Sequence, residues 1–240
     1  MGFWSRLLSL ENPDTVDKSM KNIPIRGEIG YYGLEDWWLH ELNESERKLI
    51  INTYKPMGTS NSKSTLLMNE VKSSQTTAFW LSVLAGWFKP NDPEQSRLIL
   101  KIADKAWQVK DDLSPATGDD AIFSKHLALG ALAEIYYRFR ENPLLLERCI
   151  AAARMQVEMQ SEAMKAHIRQ EKRLAAPGKK NQPIIYPSHK GFKRLAIILE
   201  KEKRYEDALE LLEEAATSKW DGDWDKRIER IKKKARSQKC

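Results

Sequence analysis

From Leu66 onward the apolar residues recur at the three- and four-residue spacing of helices. The segment Ala78-Phe79-Trp80-Leu81-Ser82-Val83-Leu84-Ala85-Gly86-Trp87-Phe88 is apolar nearly all round. It is shorter than the roughly 20 apolar residues of a membrane span, so it predicts a central core helix. After Pro90-Asn91, Asp92 suits an N-cap, Pro93 the first helical position and Glu94 the positive end of the dipole. The helix they open carries Ile99, Ile102, Ala103, Ala106 and Trp107 on one face. Residues 111–120 read as a loop, and a helix from about Asp120 to Arg140 carries Leu127, Leu132, Ile135, Tyr136 and Phe139. Asn142-Pro143 repeats the cap-plus-proline start, and the pattern predicts one long helix from there to about Leu174. The proline-rich stretch 175–187 breaks it, and further helices start near Ser188, Tyr205 and Asp223.

The beginning of the chain is less regular. Residues 11–30 carry Pro13, Pro24, Gly27 and Gly30 and read as an arm or linker. An aromatic-rich run, Tyr31 to Leu39, follows. Asn43-Glu44-Ser45-Glu46 has the form of a capping box opening a helix through Tyr54, which Lys55-Pro56-Met57-Gly58 stops; residues 59–65 are a polar loop. No strand-period run of useful length occurs after residue 35. The expected class is all-α, with an arm over 1–30, an aromatic-rich helical segment over 31–65 and antiparallel helical hairpins over 66–240.

Charge changes this picture only at one end. The 240 residues hold 40 Lys plus Arg against 34 Asp plus Glu, a formal charge of +6. Residues 226–239 alone contribute Lys226, Arg227, Arg230, Lys232, Lys233, Lys234, Arg236 and Lys239 against the single Glu229. The body is therefore neutral, which argues against a nucleic-acid footprint spread over the whole surface and leaves a local one at the C-terminal helix. Apolar residues at 41% are ample for a packed core. The two cysteines, Cys149 and Cys240, form no disulfide framework, and a reducing, cytoplasmic compartment is the natural expectation. The opening Met1-Gly2-Phe3-Trp4-Ser5-Arg6-Leu7-Leu8 lacks the apolar run of a signal peptide, and Arg6 stands where a myristoylation motif wants Ser or Thr. Phe3, Trp4, Leu7 and Leu8 read either as a weak membrane-surface foot or as a first turn packed on the domain.

A repeat search finds its best match at Phe192-x-x-Leu195-Ala196-x-x-Leu199 followed by Ala208-x-x-x-Leu212-x-x-Ala215. Two helices approach closely only where side chains are small, so Ala196 and Ala208 belong at a crossing, with Phe192, Leu195, Leu199, Leu212 and Ala215 around it. The pattern resembles the tetratricopeptide (TPR) repeat over residues 189–220, with Trp220 where the family closes on proline. A weaker echo runs through Leu132-Ala133-x-x-Tyr136, Cys149 and Ala152. Ala133 and Ala196 are 63 residues apart, short of two periods of about 34 residues. Trp224, Ile228, Ile231 and Ala235 then fit a terminal helix over 223–237 capping the stack. The stretch 27–58 and the segment Trp220-Asp221-Gly222-Asp223-Trp224 also look like parts of uncharacterised bacterial or phage helical-repeat proteins.

That resemblance implies a concave face formed by the first helix of each hairpin. On the best repeat this face includes Lys190, Lys193, Arg194 and Ile197, and on the weaker hairpin Glu134, Tyr137 and Arg138. Three cations together suggest an acidic segment or a free carboxylate as ligand. The expected function is a non-enzymatic, protein- or peptide-binding scaffold. One alternative is a nucleic-acid accessory protein using the basic tail, Lys232, Lys233, Lys234 and Arg236. Another is a nucleotide-binding sensor or enzyme on a helical scaffold. Homo-oligomers are compatible with all three.

Motifs for chemistry are sparse, and no cofactor or metal is expected. His40-Glu41 lacks the second His of a zincin. His126 reads as a partly exposed residue on the polar side of its helix, His189 as a first-turn residue, and His167 lies far along a charged helix. The pairs Asp111-Asp112 and Asp119-Asp120 lack the alternation of a calcium loop, and Asp119 or Asp120 suits a cap better. Gly58 to Thr65 lacks the second glycine of a phosphate loop. Of the eight tryptophans, Trp80, Trp87 and Trp107 fall on apolar helix faces. Trp37 and Trp38 point about 100° apart on a helix, so that one is free to serve as a partner anchor.

Overall fold

A computed structural model describes residues 25–57, 62–175 and 183–239. The apolar foot at Phe3, Trp4, Leu7 and Leu8 lies outside the described residues, as does the start of the glycine-containing loop at 58–61. The described residues are helical, with a single isolated bridge between Ser188 and Asp221 and no strand. No helix among them is long and apolar enough to cross a membrane. The chain divides into two compact units, Met1–Ser73 and Ser74–Cys240.

The first unit contains α1 (Gly27–Tyr31), a π-helical turn (Trp37–Glu41), α2 (Glu44–Thr53) and α3 (Ser62–Leu67). The capping box forms as its sequence predicts. Asn43 accepts the Glu46 backbone N–H at 2.9 Å, and the Glu46 carboxylate accepts the Asn43 N–H at 2.8 Å. The end of the expected linker is instead packed structure. Gly27 has a φ of +64°, and a Cβ there would lie 2.4 Å from the Leu66 backbone carbon. This contact admits only glycine and lets α1 bring Ile29 into the core beside buried Leu66. Both Trp37 and Trp38 are buried, which corrects the reading of one as a free anchor: the π turn places both rings inside. Arg47 is buried as well. Its guanidinium donates to the carbonyls of Trp38 (3.2 Å), Leu39 (3.3 Å) and Leu42, occupying acceptors that the end of the π turn leaves unpaired.

The second unit runs α4 (Thr77–Ala85), α5 (Pro93–Gln108), α6 (Gly118–Arg138), α7 (Pro143–Glu158), α8 (Gln160–Leu174), α9 (Lys190–Lys201), α10 (Tyr205–Thr217) and α11 (Trp224–Lys239). Asp92 and Asn142 cap their helices through the N–H groups of Gln95 and Leu144, both at 3.0 Å. Three expectations need correction. The core helix stops at Ala85, so Trp87 falls beyond its end and is exposed, as is Val83. Asp119 and Asp120 are first-turn residues; Thr117 holds the N-cap position of α6. The long helix after Pro143 is two helices, turning at Met159. Both pack on α6, so the turn lets one nearly continuous rod follow its neighbour.

Helix α6 is the centre, packed against α4, α5, α7, α8 and α9. The short connections 139–142 and 202–204 make α6/α7 and α9/α10 antiparallel neighbours. Ala196 and Ala208 are both buried in one cluster with Phe192, Leu212, Ala215, Trp220 and Trp224, which Ala163 and Met164 of α8 close from the other side. Burying a side chain such as Phe192 contributes about 1.5–3 kcal/mol. Helix α11 packs on α10 and buries Trp224 and Ile231.

Candidate functional site

Helix α9 sets Lys190, Arg194, Ile197 and Lys201 at spacings of four, three and four, one stripe of a helix. Arg194 reaches α6 and grips Glu134 with two limbs, Nε to Oε1 at 2.6 Å and Nη2 to Oε2. Its guanidinium lies 4.4 Å from the centre of the Tyr137 ring. The Lys201 ammonium lies 5.5 Å from the same ring, and the Arg140 guanidinium 4.7 Å. The structure therefore gathers Glu134, Tyr137 and Arg194, as the sequence groups them, and adds Lys201 and Arg140, which the hairpin pattern alone does not supply. Ile197 is half-buried and Arg138 exposed. Lys193 points elsewhere and lines an open cavity of about 570 Å³ with His189, Asp221, Asp223 and Trp224. Arg194 is not a free cation, since Glu134 occupies it. Arg138, Lys190, Lys193 and Lys201 make no ion pair among the described residues.

The second concentration of functional groups is buried, where the sequence pattern places nothing. His126 and His189 are each about 1% exposed, with their Nε2 atoms 3.2 Å apart. The hydrogen bonds assign the protons. His189 is the N-cap of α9, and its Nδ1 accepts the Phe192 N–H at 3.2 Å, so its ring proton sits on Nε2. That N–H donates to Nε2 of His126, which leaves the His126 proton on Nδ1, a buried atom with no hydrogen-bond partner among the described residues. Burial pushes the His126 pKa well below its ordinary value, reinforced by His189 and His167 nearby; burial pushes His189 down to about 4. The pair is thus neutral and resists a proton. Trp220 stacks on His126 with ring centres 4.4 Å apart, and Phe123 stacks on His167 at 4.5 Å. His167 itself is buried and bonds the Ile185 carbonyl oxygen through Nε2 at 2.9 Å. The expectation of a partly exposed His126 fails because the Trp220 and His189 rings cover the side of α6 that carries it, while the polar side at that level falls to Lys125.

Gln156 of α7 completes this junction. Its amide Nε2 donates to the His126 carbonyl at 3.0 Å, and its Oε1 accepts the Gly191 N–H at 2.6 Å. One buried side chain therefore joins α6, α7 and α9. Space for it exists because residues 130 and 191 are glycines: a Cβ on Gly130 would lie 2.4 Å from Gln156 Nε2, and one on Gly191 would lie 2.7 Å from the Ala153 carbonyl oxygen. The only sequence signal for this is a glycine in the middle of an alanine- and leucine-rich helix. His126, His189 and Gln156 are each buried, and the bonds they make are structural: they satisfy a helix start and a carbonyl within the core. Cys149 is buried too, and burial pushes its thiol up to about 11, away from reactivity.

The remaining candidates are engaged in ion pairs. Asp119 takes Arg169, Asp120 takes Arg173 and Gln170, and Asp111 takes Lys110 and Lys125, so these carboxylates face cations of the chain itself. No group of three or more His, Cys, Asp or Glu among the described residues is placed to hold a metal ion. In the basic tail, Arg230 and Lys234 both pair with Glu200, Lys232 approaches Glu213 at 3.7 Å and Arg227 pairs with Asp223. Lys233 and Arg236 are exposed. No protein-family model, curated protein or solved structure matches this chain.

Proposed function

We propose that the Ser74–Cys240 unit is a TPR-like stack of helical hairpins that holds a protein or peptide and catalyses nothing. The reading rests above all on the Tyr137 ring, around which Arg140, Arg194 and Lys201 converge while Glu134 neutralises Arg194. Lys201, Lys190 and Arg138 have no carboxylate partner among the described residues, and Ile197 supplies an apolar contact on the α9 stripe. An acidic segment or a peptide carboxylate is the ligand this surface suits. The buried, proton-resistant histidine pair supports a holding role, because it offers no accessible reactive group. A nucleic-acid role for α11 draws less support from its charges, since Arg230, Lys232 and Lys234 are turned to Glu200 and Glu213 of the body and Arg227 to Asp223 just before its own helix.

The test is charge reversal at Lys190→Glu with Lys201→Glu, which leaves the Arg194–Glu134 pair in place. With the full chain and a fluorescent acidic peptide of alternating Glu and Leu, the double variant is expected to bind at least tenfold more weakly than the parent in anisotropy titrations. Equal affinity of parent and variant removes this surface as the site.

A further inference from the structure

A second groove lies away from the cationic stripe, between α7, α9 and α10, with a volume of about 360 Å³. Each helix presents a face at helical spacing. From α9 come Leu195, Ile198 and Leu199, from α7 Ile150 and Val157, and from α10 Leu211. Leu195 and Ile198 are buried and form the floor; Ile150, Val157, Leu199 and Leu211 are half-buried along the sides. The lining positions run from Ile150 to Glu158 on α7 and from Asp207 to Glu214 on α10. At 1.5 Å per residue this is about two helical turns.

The rim is acidic. Glu158, Glu202, Asp207, Glu210 and Glu214 stand against Arg154 and Arg204. Arg204 is already shared by Asp207 and Glu202. Glu158 and Glu210 are exposed and make no ion pair or hydrogen bond among the described residues. An apolar floor with an uncompensated negative rim repels nucleic acid and acidic peptides, and it complements an apolar stripe flanked by cations. The walls are helical side-chain faces without a free strand edge, so an extended peptide would find no backbone partners. A helix brings its own hydrogen bonds satisfied.

We propose that this groove takes a cationic amphipathic helix of a partner protein. Apolar residues at i, i+4 and i+7 seat between α7 and α10, and Lys or Arg on both flanks meets Glu158, Glu210 and Glu214. This surface is distinct from the Tyr137 stripe, and its ligand has the opposite charge.

The test is anisotropy titration of the full chain with three labelled synthetic helices: one with Leu at i, i+4, i+7 and i+11 and Lys on the flanks, one of the same composition with the periodicity scrambled, and one with Glu replacing Lys. The first is expected to bind at least tenfold tighter than the other two, weakening with added salt. Glu210→Lys with Glu214→Lys, both exposed, is expected to reduce that binding at least tenfold while leaving the circular dichroism spectrum and the acidic-peptide titration unchanged. Equal binding of the periodic and scrambled peptides, or an unaffected double variant, overturns the proposal. So does a chain that dimerises in sedimentation and is made monomeric by Glu210→Lys with Glu214→Lys, which would assign the groove to a second copy. Loss of acidic-peptide binding in Lys190→Glu with Lys201→Glu bears only on the other surface, so the two readings fail separately.

Discussion

Acidification is expected to weaken the Ser74–Cys240 unit through His189, by an amount the structure sets. Burial holds its folded pKa at about 4 against an ordinary 6.5. Between these values the unfolded chain binds a proton that the folded chain refuses, so stability rises with pH across that window. The contribution is intact above about 6.5, falls as the pH drops below it, and stops falling near 4. Linkage over this interval makes the loss between pH 7 and pH 5 about 2 kcal/mol, or roughly 4–8 °C in Tm for a domain of this size. His126 acts in the same direction. Among the described residues no carboxylate hydrogen-bonds or pairs with either imidazole; the groups facing them are His167, through Phe123, and at the edge of the cavity Lys193, Asp221 and Asp223. His189→Asn isolates the effect, because asparagine caps a helix well and does not titrate. The variant gives up the bond to His126 and is expected to be about 1–2 kcal/mol less stable at pH 7. Its slope is shallower, so the curves of parent and variant converge towards pH 5. Urea titrations followed by circular dichroism at pH 7, 6 and 5 measure this directly. Parallel pH profiles for parent and variant would refute the argument.

Two further substitutions test how the helices are seated. Gly130→Ala would gain about 1 kcal/mol in an open helix, but here its Cβ meets the amide of Gln156, which is held by His126 and Gly191. A net destabilisation of about 1–3 kcal/mol is expected in thermal melts. Lys203→Gly should do the reverse, raising stability by about 0.5–1 kcal/mol in urea titrations. Lys203 sits at φ 59° just after α9, a conformation in which glycine carries no Cβ penalty.

Much of the local structure could be read from residue order, because caps, prolines and apolar spacing act over three or four residues. Asn43 with Glu46, Asp92 with Pro93, and Asn142 with Pro143 start the helices they predict, and Ala196 and Ala208 do enter one core. The turn at Met159 was not readable, since neither glycine nor proline marks it and helical hydrogen bonds continue on both sides. Gly27 and Ile29 show a related failure. Gly27 looks like a linker residue until Leu66, distant in the chain, lies against its missing Cβ.

The candidate sites divide along the same line. Residue spacing alone was enough to place Lys190, Arg194 and Ile197 on one stripe of α9 and to concentrate charge in α11, because helical periodicity is a property of neighbours in the chain. Only the tertiary structure decided that Arg194 is occupied by Glu134, that Lys201 joins it at Tyr137, and that Arg227, Arg230, Lys232 and Lys234, half of the cations of the basic tail, are turned to Asp223, Glu200 and Glu213. It alone took His126 from an expected polar face into the core against His189 and Gln156. Whether a charged or polar group is free depends on which distant side chain meets it, and that is settled when helices pack, not when they form.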